Sequence, residues 1–195
     1  MGTITVTEFV SMDGVMQAPG GEDFKYKNWT FEFDRGEDGG RFKGEELYEA
    51  EAQLLGRITY ESFAGAWPER ESMEGEMGEF AKRMNEMPKY LVTSTITDPE
   101  WNNTQVIDGS GDVIGEVTKL KDQIDGDILV SGSRRLVHDL LENGLVDRIR
   151  LMVFPVVLGT GDKVFDDFSD KSTWKLNEAN QVGSEGVLTL EYEKV

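Results

Sequence analysis

The chain has 195 residues, of which 38% are apolar, and it carries a formal charge of −18 at pH 7. This length suits one α/β domain with a sizeable buried core, and we expect residues 1–195 to form a single domain. The negative charge disfavours nucleic-acid binding, which needs a positive surface, and the lack of cysteine excludes disulfides and thiolate metal sites.

The sequence carries no sign of export or of membrane insertion. The first residues, MGTITVTEF, have no basic segment followed by a long apolar core, so we predict no signal peptide. No apolar run reaches the roughly 20 residues of a membrane-spanning helix. With the absence of cysteine, these features predict a cytoplasmic protein. The acidity is typical of a soluble, salt-tolerant protein, or else serves to repel anionic ligands.

Hydrophobic periodicity predicts alternating strands and helices. An alternating, β-branched segment at 3–12 is the first strand, and a long glycine-studded segment at 13–44 is a functional loop. Helices are predicted at 44–53, 57–67, 79–87, 112–123 and 134–144, with an acidic loop at 69–79. Further strands are predicted at 52–56, 89–95, 104–107, 127–131, 146–159, 174–182 and 186–195. This order predicts a mostly parallel sheet with helices on both faces, closed by a C-terminal antiparallel hairpin.

Open parallel sheets bind ligands beyond the carboxyl ends of their strands, so the segments that follow the strands are the candidate sites. The first strand runs into SMDGVMQ, which contains Ser11, Asp13, Gly14 and Gln17. This segment is either a plain β-turn or a mobile loop that covers a pocket.

The second strand ends at Gly56, and Arg57 and Thr59 open the next helix. A cation at a helix N-terminus is poorly placed unless an anion lies between the two. The alternative is that Arg57 is an ordinary surface residue.

Two later strands also end in polar residues. Thr93 and Ser94 offer hydroxyl groups, either to a ligand or to an ordinary Ser/Thr turn. The strand DILVS leads into Gly132, Ser133 and Arg134 at the start of a helix, which is either a phosphate-binding turn or a simple corner.

Several common catalytic patterns are absent from the sequence. There is no GxGxxG, GxxxxGK[ST], GxSxG or HExxH motif. The one histidine, His138, lies in a predicted helix, and we interpret it as a packing or surface residue. Mechanisms that need a histidine base are therefore disfavoured.

Four segments together resemble the dihydrofolate reductase superfamily: SMDG, LLGRITYESF, ILVSGSRRLVHDLL and GLVDRIRLMVFPVVLGTGDKVF. The last is the most specific, because it combines an LVD turn, a strand and a PxxLGxGxxxF segment. Within the superfamily the chain is most similar to the reductase domain of the bifunctional riboflavin-biosynthesis deaminase-reductase. The zinc-site cysteines of the deaminase half are missing, so we expect a reductase domain alone.

The resemblance implies binding of NADPH and hydride transfer to a small pterin-like, folate-like or ribosylaminopyrimidine-like substrate. It implies cofactor contacts from the residues at the strand ends: Ser11, Gly14, Gly56, Arg57, Thr59, Thr93, Ser94, Gly132, Ser133 and Arg134. Ser133 departs from the family, which has a second glycine there. Asp13 and Gln17 would belong to the loop over the nicotinamide and substrate.

Protonation of the substrate would need one buried carboxylate near the first long helix, as in folate reductases. Asp34, among the aromatic residues of WTFEFDRG, is our expected catalytic residue, with its pKa raised by desolvation; Glu45, Glu46 and Glu49 are the alternatives. No metal is expected. The apolar strand RIRLMVFPVVLG and the C-terminal hairpin offer a dimer edge, by strand pairing or sheet packing, and the resemblance also implies a homodimer. Two other functions stay open: NADP(H) binding without turnover, and a structural or interaction protein that keeps only the fold.

Overall fold

The protein is described here by a computed structural model that covers residues 1–21 and 23–195. Its strands are β1 Thr3–Ser11, β2 Ala50–Gly56, β3 Lys89–Thr93, β4 Thr104–Asp108, β5 Asp127–Val130, β6 Arg148–Phe154, β7 Trp174–Val182 and β8 Val187–Lys194. Its α-helices are α1 Gly36–Glu49, α2 Arg57–Arg70, α3 Glu76–Glu86, α4 Val113–Gln123 and α5 Arg134–Glu142. A 3₁₀ helix at Trp29–Glu32 precedes α1.

The strands form one eight-stranded sheet in the order β4-β3-β2-β5-β1-β6-β8-β7. The first six of these pair in parallel, whereas β8 runs antiparallel to β6 and β7 antiparallel to β8. The predicted mostly parallel sheet with a C-terminal antiparallel hairpin is therefore confirmed. This order places the ends of β1, β2 and β5 side by side at the middle of the sheet.

Helices cover both faces of the sheet. On one face α4 and α5 pack against the central strands through residues such as Val117 and Val137. On the other face α1, α2 and α3 pack through residues such as Leu47, Tyr60 and Met84. A smaller aromatic cluster on this second face includes Trp29, Phe154, Phe9 and Phe33. The sheet is buried on both sides at its centre, which explains the near-continuous apolar runs of β5 and β6.

Several element boundaries differ from the sequence prediction, two of them by five residues or more. The acidic loop predicted at 69–79 is shorter than expected, because α2 runs to Arg70 and α3 begins at Glu76. Helix α1 begins at Gly36, eight residues earlier than predicted, because packing against the sheet outweighs the poor helix propensity of Gly39, Gly40 and Gly44. Strand β6 ends at Phe154, whereas a strand to residue 159 was predicted. Pro155 lacks the N–H that a ladder needs, and Val156 and Leu158 pack onto the aromatic cluster instead.

In the described part of the chain, none of the helices has the length and apolar character needed to cross a membrane.

Candidate functional site

Two of the glycine turns predicted from the sequence meet at the centre of the sheet. The N–H of Gly56 donates to the carbonyl of Gly132 over 3.1 Å. A methyl group on Gly56 would lie 2.2 Å from Ser133 Oγ, and one on Gly132, where φ is +90°, would lie 2.7 Å from Thr59 Oγ1. Only glycine fits these two positions. The structure thus brings together Gly56, Thr59, Gly132 and Ser133, which we call the glycine turn cluster.

Two helix N-termini converge on the glycine turn cluster. Helix α2 begins directly after Gly56, and α5 begins directly after Ser133, whose peptide bond to Gly132 is cis. The first-turn N–H groups of both helices carry partial positive charge and have no partner within the helix. The strand-end geometry therefore concentrates two positive dipole ends at one point.

The first turns of these two helices differ from those of the other α-helices. Within residues 1–21 and 23–195, α2 and α5 have no acidic residue in the first turn. Each of the other three α-helices has at least one: Glu37 and Asp38 in α1, Glu76 and Glu79 in α3, and Glu116 in α4. Acidic residues are common in this chain, whose charge is −18, and their absence from these two first turns favours binding of an external anion there.

The two arginines predicted to bind the cofactor stand at these helix starts, and both are held by carboxylates. Arg57 Nη1 lies 2.7 Å from Glu61 Oε2, one turn along α2, in an exposed pair. Arg134 Nη2 lies 2.8 Å from Asp166 Oδ1, and its buried Nε has no hydrogen-bond partner among the described residues. An incoming phosphate would have to compete with these carboxylates for either guanidinium.

His138 packs behind the glycine turn cluster. Its ring lies 4.7 Å from that of Phe168, and its Nε2 is 3.1 Å from Asp166 Oδ1 and 3.3 Å from the carbonyl oxygen of Lys163. These contacts confirm the prediction that His138 is a packing residue.

The loop after β1 is fastened to the segment that follows β6. Asp13 accepts hydrogen bonds from Ser11 Oγ and from the N–H groups of Leu158 and Gly159, at 2.6, 3.1 and 2.9 Å. Partial burial acts to raise the pKa of Asp13, but these hydrogen bonds outweigh it and lower the pKa.

Other contacts continue this attachment. Gln17 Oε1 accepts from the N–H of Asp162, and Val15 forms an isolated antiparallel bridge with Lys163. Gly14 turns the chain with φ +82°. The side-chain hydrogen bonds of Ser11, Asp13 and Gln17 all belong to this attachment. The alternative of a plain β-turn therefore describes these predicted site residues better than a mobile loop.

At the end of β3 the Thr93 hydroxyl accepts from the N–H groups of Thr95 and Ile96, at 3.2 and 3.3 Å. This is the ordinary Ser/Thr turn that the sequence left open. Ser94 is exposed at the neighbouring position. Because β3 pairs with β2 through Val92 and Gly56, both residues lie one strand away from the start of α2.

The expected raised pKa of Asp34 is wrong. Asp34 is exposed and faces the β7–β8 turn, where its carboxylate accepts from the N–H of Gly36 at 2.8 Å and from Ser184 Oγ at 3.1 Å. These bonds lower its pKa. Trp29 and Phe33 pack inward, whereas Phe31 and Asp34 are exposed, so the geometry does not favour the catalytic role predicted for Asp34.

A buried carboxylate that the sequence prediction missed lies beside the glycine turn. Glu8 in β1 is 6% exposed, and its Oε1 would be 3.8 Å from a methyl group on Gly132. The available signal was an acidic residue in the middle of an alternating apolar strand, where charge is costly unless it serves a purpose. Glu46, an alternative to Asp34, is also buried, but it is engaged with Thr7 and Lys43.

Two surface clefts lie away from this cluster. One of about 770 Å³ opens between α2 and residues 96–102, and one of about 320 Å³ opens between α1 and β7. Neither cleft is lined by the glycine turn cluster, so the converging helix ends, and not cleft size, define the candidate site. Among the described residues there is no group of His, Asp or Glu that could hold a metal ion.

The sheet order and the solved structures define the class of protein. The chain has a dihydrofolate reductase-like α/β fold, with TM-scores of 0.75, 0.63 and 0.61 to three structures at 12–13% identity. They are a putative riboflavin biosynthesis protein from Shewanella sp. PV-4, a pyrimidine reductase-like protein from Corynebacterium diphtheriae and Enterococcus faecalis dihydrofolate reductase complexed with NADP(H) and RAB-propyl. Each match covers at least 98% of this chain and 92% of the other.

The chain belongs to the RibD C-terminal domain family, whose model matches residues 2–188. The family and the fold are those of reductases. Two Bacillus subtilis proteins are similar in sequence. YyaP, described as uncharacterized, is 29% identical over 146 residues, which cover 75% of each chain. YwjB, also described as uncharacterized, is 29% identical over 65 residues, which cover 33% of this chain and 37% of YwjB.

Proposed function

We propose that this protein is an NADPH-dependent reductase that transfers a hydride to a small heterocyclic substrate, of the pterin or ribosylaminopyrimidine kind. The observation that carries the proposal is the convergence of the α2 and α5 N-termini on the glycine turn cluster, with no acid in either first turn. A pyrophosphate fits the chemistry of that donor set. Membership of a reductase family and the likeness to a reductase complexed with NADP(H) support the same conclusion.

The residues of the cluster have distinct tasks in this proposal. Gly56 and Gly132 let the backbone approach the bound dinucleotide, and the first-turn N–H groups of α2 and α5 bind its pyrophosphate oxygens. Arg57 and the exposed Ser94 lie toward the adenosine phosphate end. The bound cofactor supplies the hydride, and the protein orients it and excludes water.

The proton needs a separate donor path. In this proposal Glu8, and not Asp34, is the carboxylate that supports protonation of the substrate, because Glu8 is buried beside the glycine turn and Asp34 is exposed. A buried carboxylate there can support protonation of an acceptor ring.

Two alternatives from the sequence remain distinct from this proposal. A protein that binds NADP(H) without turnover would give the same cofactor affinity and no substrate-dependent oxidation. A structural protein that keeps only the fold would bind no cofactor. A titration with NADPH followed by nicotinamide fluorescence, and then a screen of heterocyclic acceptors by loss of NADPH absorbance, separates the three. Tight binding with no oxidation by any pterin, folate or aminopyrimidine would overturn the reductase proposal in favour of the first alternative.

We also propose that the protein forms a homodimer through the face of β6, β8 and β7 that lies beyond α4 and α5. Three uncharged cross-strand rows occupy this face: Val153–Leu188–Gln181, Leu151–Leu190–Ala179 and Ile149–Tyr192–Leu176. Leu188 and Leu176 are 41% and 49% exposed. These rows carry no charge, so they are where two copies of so acidic a chain can approach with least repulsion.

Light scattering tests the dimer. A dimer would have a mass of about 44 kDa, twice the 21.9 kDa of the chain. Leu188→Lys should shift the mass to that of the monomer, because it places like charges across the two-fold interface. The control is Val106→Lys on the opposite edge strand β4, where Val106 is 39% exposed, and it should leave the mass unchanged. A wild-type mass of about 22 kDa would contradict the proposal.

A further inference from the structure

We propose that the cleft between α1 and β7 is a second ligand site, which takes a small uncharged molecule with a carbonyl oxygen and N–H groups, such as a cyclic amide or ureide. The cleft has a volume of about 320 Å³, which is at the lower end of the range for small-molecule sites. The proposal goes beyond the reductase function and does not depend on it. It starts from two buried polar side chains that line the cleft and make no hydrogen bond.

Thr189, in the middle of β8, is the first of these side chains. It is 3% exposed and lines the cleft, and its hydroxyl has no hydrogen-bond partner within residues 1–21 and 23–195. A buried hydroxyl almost always has a partner, because an unpaired one has lost its water without compensation. A ligand in the cleft would supply the missing partner.

Arg150, in β6, is the second. It is 7% exposed, and its guanidinium carbon lies 4.1 Å from the centroid of the Phe42 ring on α1. Its Nε is enclosed, has no hydrogen bond among the described residues, and faces Glu46 at 3.7 Å and Glu191 at 3.4 Å. The terminal N–H groups are not enclosed in this way, and Arg150 lines the cleft. A guanidinium held on an aromatic ring therefore presents N–H donors to the cleft.

The charge of Arg150 is already balanced inside the protein. Three cations and three carboxylates form one chain of ion pairs: Lys43, Arg148 and Arg150 with Glu46, Asp127 and Glu191. An anion in the cleft would meet these carboxylates without an unpaired cation to offset them. An uncharged oxygen acceptor fits better, because it satisfies the N–H and O–H groups of the floor without adding charge.

The rim of the cleft supplies hydrogen-bond acceptors. Asp38, Glu45 and Glu178 contribute carboxylates, and Arg41, which is also on the rim, is already paired with Asp38 at 2.9 Å. These carboxylates match N–H groups on the outer part of a ligand. A cyclic amide or ureide carries a carbonyl oxygen flanked by N–H groups on one ring, so its carbonyl can accept from the floor while its N–H groups donate to the rim.

This site is separate from both sites proposed above. Strand β8 lies three strand spacings from β5, which leads into Gly132, so Thr189 is about 14 Å from that part of the sheet. Thr189 also points to the opposite face of β8 from its neighbours Leu188 and Leu190, which belong to the proposed dimer face. Occupancy of the cleft can therefore be measured without NADPH, without turnover and in either oligomeric state.

The test uses the full-length wild-type protein and two matched probes. Ethyleneurea is an uncharged cyclic ureide, and N,N′-dimethylethyleneurea keeps its carbonyl but lacks its N–H groups. Each is titrated while the backbone amide of Thr189 and the side-chain amide of Asn180, its cross-strand partner in β7, are followed by ¹H–¹⁵N NMR. We expect saturable shifts with ethyleneurea, at least fivefold weaker binding of the dimethyl compound, and weaker binding of acetate at constant ionic strength.

Two valine variants supply the second readout. Thr189→Val keeps the shape of the side chain and removes the unpaired hydroxyl, so it should bind ethyleneurea at least fivefold more weakly and melt no lower than the wild type. Thr3→Val is the control, since Thr3 is also a strand threonine but lies in β1 outside the cleft, and it should bind as the wild type does. No saturable shift with ethyleneurea, equal binding of the dimethyl compound, tighter binding of acetate, or wild-type affinity in Thr189→Val would each overturn the proposal.

Discussion

The contact between Gly56 and Ser133 makes a quantitative test of the glycine turn cluster. A Cβ at Gly56 would lie 2.2 Å from Ser133 Oγ and 2.8 Å from Ser133 N. Ser133 would have to retreat by about 1 Å to reach an ordinary van der Waals distance. A displacement of that size at a binding site costs on the order of 100-fold, or about 2.7 kcal/mol. We therefore expect Gly56→Ala to weaken NADPH binding about 100-fold.

The second site in this prediction is Ser133 itself. In the double variant Gly56→Ala/Ser133→Gly the 2.2 Å contact disappears and only the contact with the backbone nitrogen remains. We expect at least tenfold recovery of NADPH affinity relative to Gly56→Ala alone, which a double-mutant cycle measures as coupling.

The control is the same substitution in the same helix at a position with space. A Cβ at Gly65 would meet no atom within 4 Å. Gly65→Ala should leave NADPH affinity unchanged and raise the free energy of unfolding by about 0.5–1 kcal/mol. Affinities are measured by nicotinamide fluorescence, and folding by urea denaturation. Wild-type affinity in Gly56→Ala, or no recovery in the double variant, would refute the reasoning.

Three other predictions concern a buried lysine, the buried carboxylate and the net charge. Lys89 is fully buried with its ammonium donating to three backbone carbonyls, and burial lowers its pKa to about 8 from its usual 10.5. The unfolded chain binds the Lys89 proton more tightly than the folded chain does, so the free energy of unfolding should rise between about pH 8 and 10.5. Urea denaturation should show that rise in the wild type but not in Lys89→Met. At pH 7 we expect Lys89→Met to be less stable than the wild type by about 2–4 kcal/mol. Glu8→Gln should lower kcat for acceptor-dependent NADPH oxidation by about 100-fold or more and change the Kd of NADPH by less than about threefold; equal losses in both would contradict the assignment. The melting temperature should rise from low to high NaCl as like-charge repulsion is screened, and a flat profile would count against a charge-limited stability.

Much of the fold could be predicted from the sequence, because the strands and glycine turns carry local signals. The apolar runs of β5 and β6 and the Gly132–Ser133 corner follow from periodicity and turn chemistry. The start of α1 could not be predicted, because its four glycines argue against a helix that only packing stabilises. The rule that ligand sites lie at strand ends predicts that Gly56 and Ser133 belong to one site. The need for glycine at position 56 could not be predicted, because a Cβ there would lie 2.2 Å from Ser133 Oγ, which is distant in the sequence.

The buried carboxylate of the site is the feature that the sequence predicts least well. Asp34 stands among aromatic residues in the sequence, which predicts burial. In an irregular segment adjacent side chains point in different directions, and Asp34 turns to solvent. Glu8 follows the rule that alternate residues of a strand share a face, so its burial was predictable.

The measurement that tests the central claim most directly is a titration of the purified protein with NADPH and, separately, NADH, followed by nicotinamide fluorescence. We expect saturable binding of NADPH that is tighter than that of NADH and weaker in Arg57→Ala, because Arg57 opens one of the two helices at the glycine turn cluster. No binding of either dinucleotide would contradict it, since converging helix ends without an anion to bind would then be only a feature of the fold.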